Sequence, residues 1–129
     1  MEINRSKIIN YAFWFWFILV TVLSVIPGTP KSRVSVWGLE FRMDYIEHLV
    51  VYFILGLLFV KRKKEIVNER NVIKVLYLLM WMIFAIATEF VQKFISGRSF
   101  NPNDMYYNLA GIILGLSMTT VYINRVKRS

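Results

Sequence analysis

The chain has 129 residues, of which 57% are hydrophobic, 16% aromatic and only 19% charged. A small water-soluble domain cannot cover its surface with so little charge, so the composition points to a membrane protein. A net charge of +8 would suggest a nucleic-acid partner in a soluble chain, but in a membrane chain basic loops record orientation and contact with anionic headgroups, so no nucleic-acid partner is expected. With no cysteine, a disulfide framework, a thiolate metal site and a cysteine nucleophile are all excluded.

A bilayer-crossing helix needs about 20 mostly apolar residues, and the spacing of charges marks four such stretches. No charge falls between Lys7 and Lys31, and residues 8–26 form the first expected span, ended by Pro27-Gly28. Its apolar region is too long for a secretory signal and no cleavage site follows, so it reads as an anchor. The second span, 44–60, carries Asp44, Glu47 and His48 in its first turn. The third, 72–94, holds Glu89 and Gln92 near its far end. In the fourth, 105–124, Gly111 and Gly115 form a small-xxx-small pair suited to close helix packing. The expectation is an all-α, four-helix transmembrane bundle with short loops and no room for a soluble domain, a single domain over 1–129. Trp37 and Trp81 are expected at membrane interfaces and Lys93 as an interfacial anchor.

Lysine and arginine are concentrated in the N-terminal tail (Arg5, Lys7), in the second loop around the Lys61–Lys64 run, and in the C-terminal tail (Arg125, Lys127, Arg128). The positive-inside rule then places both termini and the second loop in the cytoplasm. Asp44, Glu47 and His48, together with Glu89, Gln92, Arg98, Asp104 and Asn108, consequently fall on the outer face of a plasma membrane. Three- and four-residue steps put Asp44, Glu47, His48 and Tyr52 on one helix face and pair Glu89 with Gln92. A carboxylate inside a span is costly and persists when it is paired, solvated or useful.

These residues outline a shallow polar pocket opening outward. Carboxylates, an imidazole and a guanidinium suit proton transfer, a hard metal ion, or a phosphate or sugar headgroup. The ligand-binding candidates are therefore Asp44, Glu47, His48, Tyr52, Glu89, Gln92, Arg98, Asp104 and Asn108. His48, Glu89 and Asp44 are candidate catalytic groups, a metal is left open, and no cofactor is expected. In Asn101-Pro102-Asn103-Asp104 the aspartate is expected to cap the fourth helix.

Two stretches resemble the VanZ-like family of small bacterial membrane proteins. The first is Asp44-x-x-x-His48-x-x-x-Tyr52-x-x-Leu55-Gly56. The second is Glu89-x-x-Gln92-x-Phe94-x-x-x-Arg98-Ser99-Phe100, continuing to Asp104-x-x-x-Asn108-x-x-Gly111-x-x-x-Gly115. Tyr45, Leu49, Ser96 and Asn101 depart from the family pattern. The resemblance adds Gly56 to the packing glycines and implies a bacterial cell-envelope or teicoplanin-type resistance factor. Its partners would be membrane lipids and a lipoglycopeptide or undecaprenyl-linked wall precursor, with a homo-oligomer left open. An enzyme acting on a lipid-linked substrate is the alternative, although no nucleophile elbow, HExxH or phosphate loop is present. A proton-coupled transporter component using Glu89 ranks third, since four short spans lack broken helices.

Overall fold

The computed structural model describes residues 4–27, 33–36 and 39–128. Lys31 and Trp37 of the first loop lie outside the described residues. Four helices dominate: α1 (Arg5–Val25), α2 (Met43–Arg62), α3 (Asn71–Gln92) and α4 (Pro102–Arg128). Each is long and apolar enough to cross a membrane, as a multi-pass membrane protein requires. The expected all-α four-helix architecture is observed, with boundaries shifted by up to four residues.

The ends of the helices have local causes. Asn4 caps α1 by accepting from the Ser6 N–H at 3.1 Å. Pro27 ends it by holding Ile26 extended, with ψ at 138°. α3 stops at Gln92, two residues short of the expected end, and gives way to tight turns through Gly97, whose φ of 74° belongs to the left-handed region. α4 begins earlier than expected because Asn101 supplies its cap. The Asn101 side chain accepts from the Asn103 N–H at 3.1 Å, with Pro102 in the first helical position. Asp104 therefore lies inside the first turn and is not the capping residue.

One element was not expected. The first loop carries a two-stranded antiparallel hairpin, β1 (Arg33–Val36) with β2 (Leu39–Arg42), in register Arg33↔Arg42 through Val36↔Leu39. Its sequences, Arg-Val-Ser-Val and Leu-Glu-Phe-Arg, alternate with the period of two that extended chain requires. At the opposite end of the bundle, a 3-10 turn at Lys64–Asn68 joins α2 to α3.

α2 and α4 make the closest contact. A Cβ on Gly111 would overlap the Leu49 carbonyl, one on Gly115 would overlap the Phe53 carbonyl, and one on Gly56 would stand 2.9 Å from the Ile112 carbonyl oxygen. Contacts advance in the same direction along both helices, Leu49 and Phe53 against Gly111, Phe53 and Leu57 against Gly115, so the two run parallel. Lipid provides no hydrophobic drive between helices, and the stability of such a seam comes from close van der Waals packing.

α1 and α3 pack beside this pair through aromatic rings. Trp81 is buried among Phe13, Phe17, Phe59 and Phe84, with ring centroids 5.0–6.2 Å apart. That overturns the expectation of an interfacial Trp81, which sits midway along α3 on its inward face. At the basic end, the Arg62 guanidinium donates to Asn10 Oδ1 at 2.7 Å and lies 4.8 Å from the ring centres of Phe13 and Trp14.

The glycine seam predicts a directional response to added volume. Gly111→Val and Gly115→Val should each destabilise the bundle by about 1–3 kcal/mol, the usual range for overpacking. Ile113→Val, on the exposed face of α4, should have little effect. Unfolding of the purified protein in detergent or bicelles measures the difference; equal stability of the glycine variants and the control would contradict the seam.

Candidate functional site

The C-terminal ends of α1 and α3 and the N-terminal ends of α2 and α4 meet at one end of the bundle. A cleft of about 400 Å³ opens there, with Asp44, Glu47, His48, Gln92, Arg98 and Asp104 on its polar wall. Val20, Leu23, Ile26 and Val51 form its apolar side. Because α2 and α4 are parallel, both direct the positive ends of their dipoles here, and each carries an aspartate in its first turn.

At the rim, the Arg42 guanidinium donates to both Asp44 oxygens, Nη2 to Oδ2 at 2.5 Å and Nε to Oδ1 at 3.2 Å. This bidentate bond to Asp44 raises the Arg42 pKa above its ordinary value. Arg42 also donates to the Tyr45 hydroxyl at 3.0 Å, and the Tyr45 ring stacks on Tyr107 at 4.9 Å. These contacts fasten the hairpin to the ends of α2 and α4. Glu47 is exposed to the cleft, off the line formed by Asp44, His48 and Tyr52.

Deeper in, three helices bring polar groups together. His48 Nδ1 donates to Asn108 Oδ1 at 2.9 Å, while Nε2 lies 3.8 Å from Asp104 Oδ2. The Asn108 oxygen only accepts, so Nδ1 carries a proton, and Nε2 is the ring nitrogen directed at Asp104. Glu89 is wholly buried and Asp104 is 2% exposed. One residue serves both: Asn101 donates its backbone N–H to Glu89 Oε1 at 3.0 Å and its side-chain Nδ2 to Asp104 Oδ1 at 2.9 Å. His48, Glu89 and Asp104 thereby present ligand atoms that all lie within 4.8 Å of one another, an arrangement able to hold a metal ion.

Tyr52 and Arg98 occupy the cleft wall in other ways. The Tyr52 hydroxyl hydrogen-bonds the Thr88 hydroxyl, which also donates to the Ala85 carbonyl at 2.9 Å. Arg98 donates through Nη1 to Gln92 Oε1 at 3.0 Å, through Nε to the Ile26 carbonyl at 2.8 Å and through Nη2 to the Leu23 carbonyl at 3.0 Å. The last two are orphan carbonyls at the end of α1, so Arg98 closes that helix as well as lining the cleft. Lys93 is exposed, with its ammonium 6.0 Å from the Phe90 ring centre. Neither Thr88 nor the bridging role of Asn101 is marked by a sequence pattern. Asn101-Pro102 is a recognisable helix-start dipeptide, but a backbone N–H given to a carboxylate twelve residues earlier has no sequence signature.

The Tyr52–Thr88 hydrogen bond joins α2 to α3 and can be measured by a double-mutant cycle. Tyr52→Phe with Thr88→Val should give a coupling energy near the ~0.6 kcal/mol average for interhelical hydrogen bonds in membranes. Additive effects of the two substitutions would show that the bond contributes nothing.

Searches with this chain find no matching family model, no matching curated protein and no matching solved structure.

Proposed function

We propose that this is a VanZ-like protein of the bacterial plasma membrane whose cleft recognises an amphipathic envelope ligand, a lipoglycopeptide or an undecaprenyl-linked wall precursor. The observation that carries this reading is the two-sided cleft. Its polar wall of acids, imidazole, amide and guanidinium suits a sugar, peptide or phosphate headgroup, and its apolar side continues into the lipid-facing helices. The motif resemblance supports the same reading, since Asp44, His48, Gln92, Arg98 and Asp104 of the two motifs all line the cleft.

Orientation follows from charge. The end opposite the cleft carries Arg5, Lys61, Arg62, Lys63 and Lys64 around one depression, which the positive-inside rule assigns to the cytoplasm, leaving the cleft extracytoplasmic. The chain has no cysteine, so a single cysteine at Ser99 gives an unambiguous label. An impermeant maleimide should modify it in intact cells and fail to modify one at Lys63. The reverse pattern would invert the topology.

Function is tested in a Gram-positive host expressing the chain. His48→Gln, Glu89→Gln and Asn108→Leu should each return teicoplanin susceptibility toward that of the empty host at unchanged membrane abundance. Full protection retained by all three, at wild-type abundance, would overturn the reading. An enzymatic role for the same cleft draws on one observation, the approach of His48 to two buried carboxylates. Its test is turnover of a lipid-linked substrate by the purified protein. In contrast, the transporter reading gains no support from the described helices, which run unbroken through their spans.

A further inference from the structure

The three residues that converge below the cleft have the chemistry and the surroundings of a metal centre. His48 comes from α2, Glu89 from α3 and Asp104 from α4, and no two are neighbours in sequence. Each has a hydrogen bond that sets its orientation. Asn108 holds His48 by Nδ1, Asn101 holds Glu89 by Oε1, and the Asn101 amide holds Asp104 by Oδ1. The second ring nitrogen of His48 and the second oxygen of Asp104 are left facing each other at 3.8 Å. Outer hydrogen bonds of this kind orient metal ligands and fix the histidine tautomer.

A separate feature points the same way. Asn108 is 1% exposed, and among the described residues Nδ2 of the carboxamide that contacts His48 has no hydrogen-bond partner. A buried donor beside the cluster calls for an acceptor, which a water or anion carried by a bound ion would supply.

We propose that His48 Nε2, Glu89 and Asp104 bind one divalent cation of the zinc class, with the coordination left over directed at the cleft that His48 and Asp104 line. The ligand set decides the class. An imidazole with two carboxylates suits Zn²⁺ and its neighbours in the first transition row; Mg²⁺ and Ca²⁺ favour all-oxygen sites, and the absence of thiolates disfavours Cu(I). Two carboxylates favour a divalent over a monovalent cation. Ligand atoms already within 4.8 Å of one another need only side-chain adjustment to close on an ion with bonds of about 2.0–2.2 Å.

The site rests on these three ligands and not on the headgroup reading. It is tested without any lipid ligand, so either can fail alone. Full-length protein purified in detergent and stripped with chelator should take up one Zn²⁺ per chain at neutral pH. It should also bind Co²⁺ with the visible absorption of a low-coordinate nitrogen–oxygen site. Glu89→Gln, Asp104→Asn and His48→Gln should each weaken binding at least tenfold, and Asn108→Leu by about 10–100-fold through loss of orientation. Glu65→Gln, at the opposite end of the bundle, should bind as the wild type does. Zn²⁺ should raise the melting temperature of the wild type and not of Glu89→Gln. Wild-type protein that remains metal-free in excess Zn²⁺ would overturn the proposal whatever the variants do. Binding of unchanged affinity and stoichiometry in a folded Glu89→Gln or Asp104→Asn would overturn it equally.

Discussion

The near approach of two parallel backbones, α2 and α4, governs the geometry of the rest. Helices two crossings apart in a serpentine chain must run in the same direction, and glycines at 56, 111 and 115 let these two touch along their length. The histidine on α2 then meets the asparagine and aspartate on α4 at hydrogen-bonding and near-contact distances. A side chain in place of Gly111 would separate the pair just below His48. Parallel packing also sums two helix N-termini at one end, where a partial positive charge on each favours an acid in the first turn by about 0.3–1 kcal/mol at an exposed site. Asp44 and Asp104 occupy those positions.

A second constraint comes from the solvent. In hydrocarbon an unsatisfied backbone group costs several kcal/mol, so helix ends near the bilayer must find partners within the protein. Arg98 meets this need for α1 and Asn101 for α4, and both residues also border the polar cluster. The site and the helix termini thus draw on the same side chains. This coupling explains why the polar residues gather at one end of the bundle while its middle is filled by aromatic rings. It also means that substitutions here report on folding and on function together, and must be read with a measure of abundance.

Much of the architecture was legible in the sequence because the membrane simplifies the problem. Long apolar stretches with charges only near their ends mark four spans, and four-residue spacing puts Asp44, His48 and Tyr52 in line on α2. The hairpin between α1 and α2 went unseen, although Arg-Val-Ser-Val and Leu-Glu-Phe-Arg alternate as strands do, because a span-scale reading looks past eight residues of loop. Residue type alone points Trp81 to an interface, whereas its midpoint position on α3 buries it. The cap of α4 was displaced from Asn101 to Asp104, three residues that change a capping group into a neighbour of His48. Arg98 could be marked as unusual, but its partners include main-chain carbonyls of α1 some seventy residues earlier, and no side-chain pattern encodes such a bond.

The division of the cluster among α2, α3 and α4 has a consequence for biogenesis. Asn101, Asp104 and Asn108 belong to α4 and the turn before it, so the partners that hold His48 and Glu89 in place are synthesised only after α1, α2 and α3. Until then Gly56 of α2 lacks the α4 backbone it packs against, and Glu89 of α3 lacks the Asn101 N–H. The α4 helix and the turn before it therefore supply both the partner surface for the α2 glycine and the groups that complete the polar centre.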